Sequence, residues 1–230
     1  VANTIHDSAV IGEGVRLGTG NVIGPFAVIG GGARLGDGNW VGAHAVIGAP
    51  PEVRGFEHRA DWLDIADVGL RIGDGNVIRE AAQIHAGWRG ETVVGSRCFL
   101  MNQSYLAHDV QLADAVTLAS GVALAGHVRV AFGANLGLGT NVHQGRAVGA
   151  YAMIGMGSVV TRDMPPFVIA HGSPARPRRV NRVGLERSGF SEAEIRWVEQ
   201  WCARGCPTIV EHERATAPER ILLAIDDLGL

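Results

Sequence analysis

The chain has 230 residues, 47% of them hydrophobic, with a formal net charge of −3. That is enough for one elongated folded domain with a small appendage, and the near-balanced charge argues against nucleic acid as a partner and against a polyacidic tail. All 20 basic residues are arginine, which rules out any mechanism needing a catalytic lysine.

From the start, aliphatic residues recur every sixth position: Ile5, Ile11, Leu17, Ile23, Ile29, Leu35, Val41 and Ile47. After a gap come Ile72, Ile78 and Ile84, and a third block runs without a break from Val94 through Leu100, Leu106, Leu112, Leu118, Leu124, Val130, Leu136, Val142, Val148 and Ile154 to Val160. Period six suits neither a helix nor a simple strand; it marks a solenoid of short strands. Glycine often follows the aliphatic residue and a small residue often sits two before it (Ala27, Ala33, Ala134). The pattern implies tight corners, with glycine supplying unusual backbone angles, around a narrow interior.

Two insertions interrupt the count, near 49–71 (Glu52, Arg54) and near 85–93 (Trp88, Arg89). Insertions in solenoids project from one face and commonly build binding surfaces, so both are expected to contact substrate. The repeat stops at Asp163-Met164-Pro165-Pro166, dividing the chain into a solenoid over 1–166 and a tail over 167–230. In the tail, Ser173 to Arg187 is expected to form an arginine-rich connector. Ser191 with Glu192 and Glu194 reads as a helix start, placing Ile195, Val198, Trp201 and Cys202 on one face. A second helix is expected from about Pro218 to Leu228, and the tail is expected to cap the open end of the solenoid. The spacing of Cys98, Cys202 and Cys206 offers no disulfide or metal framework, and Cys202 and Cys206, four apart on an expected helix, read as two half-buried thiols. No signal peptide and no apolar run of about 18 residues is evident, so the expectation is a soluble, cytoplasmic protein with no transmembrane segment.

The repeat resembles the hexapeptide motif of the parallel β-helix, which implies three hexapeptides per eighteen-residue coil; on that grid His108, Gly126-His127 and His143-Gln144 fall on successive coils, separated by roughly 4.8 Å per coil. Three histidines in register suggest either a zinc site or a general base with substrate-holding neighbours.

Period and corner residues resemble the hexapeptide motif of the left-handed parallel β-helix; the left hand comes from the resemblance, since the general rule for parallel crossovers predicts the opposite. The zinc alternative resembles trimeric carbonic anhydrases of this fold, but their His-x4-His pair is missing here. Leu106-Ala107-His108-Asp109, Leu124-Ala125-Gly126-His127-Val128 and Val142-His143-Gln144, with Ile23-Gly24-Pro25-Phe26 and Gly184-Leu185-Glu186-Arg187-Ser188-Gly189-Phe190, resemble a specific family. It is the acyl-carrier-protein-dependent UDP-N-acetylglucosamine O-acyltransferases of lipid A synthesis.

That resemblance implies a cytoplasmic, metal-free homotrimer with no bound cofactor. The enzyme would move a short or medium (3-hydroxy)acyl chain from the phosphopantetheine of acyl carrier protein to a hydroxyl or amine of a UDP-N-acetylglucosamine-like sugar nucleotide. It implies His108 as general base, Asp109 as its partner and the Gly126 N–H as oxyanion donor. His127, His143, Gln144, Asn181 and Arg187 would contact the sugar nucleotide, as would the drifted positions Glu52, Arg54 and Tyr105. Val183 and Ser188 also depart from the family pattern, which leaves the identity of the acceptor open. Met156 stands where the family places its acyl-chain ruler and implies a limit of about ten carbons, because each methylene excluded is worth about 0.8 kcal/mol. The alternatives are an acetyl-CoA-dependent sugar N-acetyltransferase on the same fold and a non-catalytic scaffold.

Overall fold

The computed structural model describes residues 1–64, 69–206, 214–215 and 217–227. Each six-residue repeat contributes one short strand, and strands three repeats apart pair in parallel: Tyr105 with Ala123, and Ala123 with Asn141. Three sheets result, of ten, eight and seven strands, forming the faces of a prism of about nine turns. The architecture is the expected left-handed parallel β-helix.

The period-six aliphatic residues fill the interior. From Ile23 to Val160 every one is buried, whereas Ile5 is 42% exposed at the open first coil. The small residues two positions earlier, such as Ala27, Ala33 and Ala134, are fully buried beside them.

The glycines that follow the aliphatic residues act differently from the expectation. At Gly24 a Cβ would lie 2.9 Å from the Val41 carbonyl oxygen of the next coil, so close stacking of coils excludes a side chain there, while the positive φ angles, Gly48 excepted, sit elsewhere in the corners. Those left-handed positions accept large residues, including Phe26, His44, Asp109 and His127. A second internal feature is a ladder of Asn3, Asn21, Asn39 and Asn76. The Asn21 Oδ1 accepts from Asn39 N–H at 2.9 Å, the Asn39 Oδ1 from Asn76 N–H at 3.0 Å, and the Asn76 Oδ1 from Cys98 N–H at 2.7 Å. These amides satisfy buried corner backbone that no strand reaches.

Most of the expected connector is instead a hairpin. Val168–Gly172 pairs in parallel with the coil strand Met153–Ile154, and Ala175–Val180 pairs antiparallel with Val168–Gly172, so the ten-stranded sheet continues past the last coil. Among the described residues the helices α1 (Arg182–Arg187), α2 (Glu192–Ala203) and α3 (Glu219–Asp226) follow. The helix start at Ser191 holds, with a capping box between Ser191 and Glu194. The expected end of the last helix, Leu228, lies outside the described residues.

Ile195, Val198 and Trp201 of α2 and Ile221 of α3 bury against Phe167, Tyr151, Phe190 and Ala147, and Asp227 Oδ2 accepts from Phe132 N–H at 2.8 Å. The helices therefore sit on the flank of the last coils, and within the tail it is the hairpin that takes the terminal edge. Among the described residues no helix is long and apolar enough to cross a membrane.

Candidate active site

The corner between the eight- and seven-stranded sheets gathers the histidines. His108 and Asp109 follow the strand Tyr105–Leu106; one coil on, Gly126 and His127 follow Ala123–Leu124; His143 and Gln144 follow Asn141–Val142. Parallel register fixes this stacking, because a slip of one residue would turn every aliphatic side chain out of the core.

His108 and Asp109 are both buried, and the His108 Nδ1–H donates to Asp109 Oδ2 at 2.7 Å. The second insertion supplies the rest of the cradle. The N–H groups of Trp88, Arg89 and Gly90 all point at Asp109 Oδ1, at 3.1, 3.1 and 2.7 Å, and Asp109 N–H donates to Thr92 Oγ1 at 2.9 Å.

Burial pushes the Asp109 pKa up, but the His108 hydrogen bond and the three N–H donors outweigh it, so the carboxyl titrates below its ordinary value. An ionised Asp109 accepts from Nδ1–H, which leaves the His108 Nε2 with its lone pair free to take a proton. The Trp88 ring meets the His108 ring edge-on at 5.8 Å, and the Arg89 guanidinium covers Trp88 at 4.3 Å.

Gly126 lies directly beside the imidazole: a Cβ there would fall 2.5 Å from His108 Cε1 and 2.6 Å from Nε2. Among the described residues no group accepts from the Gly126 N–H. His127, half-buried, packs edge-on against His108 at 5.0 Å with its Nδ1 3.6 Å from Asp109 Oδ2. Ligand atoms of His108, Asp109 and His127 lie within 4.8 Å of one another. This is not the set of His108, His127 and His143 weighed from the sequence, and His108 Nδ1 is already committed to Asp109. His143 and Gln144 are exposed one coil further along, and the His143 Nδ1–H donates to the Gln144 carbonyl at 3.2 Å.

In the first insertion Glu52 and Tyr105 bind each other, the phenol donating to Glu52 Oε2. Burial first, then this bond and the carboxylate charge, push the Tyr105 pKa up. Arg54 is exposed and has no ion-pair partner among the described residues. The later part of this insertion folds back on the first coils, where Leu63 O accepts from Gly31 N–H at 3.1 Å.

The tail residues are divided. Asn181 caps α1, its side chain accepting from Gly184 N–H at 3.2 Å and donating to the Tyr151 carbonyl at 2.9 Å. Arg187, at the end of α1, is exposed. Arg182 is bound by Glu186, Glu192 and Glu199. Met156 is 74% exposed, and Leu138, one coil earlier on the same corner, is 50% exposed. That corner joins the ten- and eight-stranded sheets, so the fold of one chain does not bring Met156 to His108.

Sequence reading missed the backbone of Trp88, Arg89 and Gly90, and it missed Thr92, although Thr92 sits seventeen residues before Asp109 and so one coil back. It also missed His85, buried next to Tyr105, whose Nδ1–H donates to Pro50 O at 2.7 Å and whose Nε2 has no partner among the described residues.

Residues 163–204 match a family model described as UDP N-acetylglucosamine O-acyltransferase, domain 2. The acyl-[acyl-carrier-protein]–UDP-N-acetylglucosamine O-acyltransferase of Halorhodospira halophila is 44% identical over 134 residues, 57% of this chain and 52% of that protein. The chain thus spans about half the length of the curated relatives it matches. The solved UDP-N-acetylglucosamine O-acyltransferase of Moraxella catarrhalis is similar at TM-score 0.79 and 26% identity, covering 98% of this chain and 96% of that one. The UDP-N-acetylglucosamine acyltransferase of Francisella novicida is similar at TM-score 0.75 and 29% identity, covering 86% and 78%. The family resemblance read from the residues is borne out in both sequence and fold.

Proposed function

We propose, from this likeness and the geometry of the His108 corner, that the chain is an acyltransferase. It moves a short or medium (3-hydroxy)acyl group from the phosphopantetheine thioester of acyl carrier protein to the 3-hydroxyl, or a 3-amino group, of a UDP-N-acetylglucosamine-like sugar nucleotide. The observation that carries the reading is the buried His108–Asp109 pair with the backbone of Gly126 against its ring, the Gly126 N–H having no acceptor among the described residues.

His108 Nε2 takes the acceptor's proton as the acceptor oxygen or nitrogen bonds to the thioester carbon. Asp109 holds the imidazole in the tautomer that leaves Nε2 free and stabilises the imidazolium that forms. The carbonyl oxygen gains negative charge and turns to the Gly126 N–H, a donor held in place by the stacked coil; loss of one such donor costs roughly 3–4 kcal/mol in related chemistry. The tetrahedral centre then collapses, the carbon–sulfur bond breaks, and the leaving thiolate takes the proton from Nε2. No step requires a metal or a resident cofactor.

His127, His143 and Gln144 flank this point along the coil axis and hold the sugar nucleotide, with Glu52, Arg54 and Tyr105 bounding its first-insertion side. Met156, Leu138, Asn181 and Arg187 complete the site from neighbouring subunits of a homotrimer, which accounts for an apolar corner left open on the isolated chain. A guanidinium suits the diphosphate because its planar fork donates to two oxygens. The acetyl-CoA-dependent and scaffold alternatives lack such support, since the relatives' names specify acyl carrier protein as donor.

The test is a transfer assay read by mass spectrometry: acyl-carrier thioesters and acyl-CoAs of graded length against UDP-N-acetylglucosamine and its 3-amino analogue. Transfer from carrier thioesters of about ten carbons or fewer is expected. Transfer from acetyl-CoA alone, or from no donor, overturns the reading.

A further inference from the structure

At the end of α2 the chain turns through Gly205 (φ 87°) to Cys206 (φ 52°). Gly205 N–H donates to Cys202 O at 2.9 Å and Cys206 N–H to Trp201 O at 3.3 Å, which folds the turn back on the helix. The two thiols consequently meet, Sγ to Sγ 3.3 Å, and both line a groove shared with Arg179, Arg182 and Glu199. The acyl-transfer chemistry uses neither. The third cysteine, Cys98, is buried with its thiol donated to Ala113 O, and burial, the largest influence on it, pushes its pKa up to about 11.

We propose that Cys202 and Cys206 form a reversible modification site, an intramolecular disulfide made by exchange with low-molecular-weight disulfides such as glutathione disulfide. The Cys206 proton goes to solvent and its thiolate attacks one glutathione sulfur; that sulfur–sulfur bond breaks and one glutathione thiolate leaves. Cys202, giving its proton to solvent, then attacks the Cys206 sulfur of the mixed disulfide and expels the second glutathione. Two protein thiols are oxidised and one external disulfide is reduced to two thiols.

The order of attack follows from the local chemistry. The hydrogen bond between the two thiols lowers the Cys206 pKa against the opposing effect of burial, while the same bond and burial raise that of Cys202. The sulfurs need close only from contact to a bond of about 2.05 Å, a small movement in a turn that already contains a glycine.

The experiment is incubation of the folded chain with graded ratios of glutathione disulfide to glutathione, followed by alkylation, intact mass and peptide mapping. The wild type is expected to lose the mass of two hydrogens, retain no glutathione and leave only Cys98 alkylatable after denaturation. Reductant should reverse the change. Cys202→Ser is expected to retain one glutathione on Cys206, and Cys206→Ser to react more slowly, at Cys202. A wild type that accumulates a glutathione adduct without closing the internal bond overturns the proposal, as does one whose three thiols all remain alkylatable in excess glutathione disulfide. Both readouts come from the unmutated chain and do not depend on the variants folding.

Discussion

The backbone of Gly126 approaches the imidazole of His108 so closely that a methyl group at residue 126 would fall 2.5 Å from its Cε1. One coil's corner is thereby the wall of the imidazole on the next, and the parallel register that stacks them sets the distance between the proposed proton acceptor and the proposed oxyanion donor. The backbone angle at Gly126 is not in the left-handed region, so the contact alone demands glycine there. Gly126→Ala keeps the backbone N–H, but its methyl must push the buried His108 imidazole aside, so it is expected to lower the melting temperature and, by displacing the His108 ring, to lose turnover on the order of 10²-fold or more. Thermal melts beside steady-state rates check this.

Removing the proposed base is expected to separate chemistry from binding. His108→Ala should lower kcat by roughly 10²–10⁴-fold with little change in KM for the sugar nucleotide. Asp109→Asn should also lower kcat, because an amide can present its NH₂ to His108 and hold the wrong tautomer. Kinetics of both variants against the parent, with circular dichroism to show an intact coil, provide the measurement.

Asp109 also links stability to pH. Its carboxyl titrates lower in the folded chain than the unfolded value of about 3.9, so its contribution is complete above that value. The contribution then falls away as pH drops through the folded pKa. Urea unfolding of parent and Asp109→Asn at a series of pH values should show a stability gap that is constant near neutrality and narrows below about pH 4. A gap that stays constant into acid would contradict the geometry of the three N–H donors.

Met156 offers the sharpest test of the site's extent. With 74% of its surface exposed on one chain, it has no packing role whose loss would unfold the coil. Met156→Gly should shift the preferred donor to longer acyl chains, each added methylene worth about 0.8 kcal/mol of binding. A chain-length series with both proteins checks this; an unchanged optimum would remove Met156 from the site.

The tail packs on the last coils through a cluster of buried side chains. Trp201 is buried against Phe167, and Trp201→Ala should cost about 3–5 kcal/mol, measured by denaturant unfolding.

The period-six series by itself determined that the chain is a solenoid of short strands, because an aliphatic side chain every sixth residue suits neither a helix nor a simple strand; the left hand and the three-sided coil came from the resemblance. The same grid brought His108, Gly126 and His143 to one corner, since register in a solenoid is arithmetic. Ser191 announced α2 because capping is local chemistry between residues three apart.

Only the tertiary structure decided what the insertions do, for an insertion leaves the grid and its path depends on what it packs against. The segment expected to touch substrate, Trp88 to Gly90, spends three backbone N–H groups on Asp109, and main-chain donors leave no trace in residue identity. The asparagine ladder, the Glu52–Tyr105 bond and the meeting of Cys202 with Cys206 belong to the same class. Each depends on where a side chain points in three dimensions rather than on its count along the chain. Met156 marks the boundary of what one chain holds: its sequence position implied a ruler, and the fold sets it on a different corner of the prism from His108.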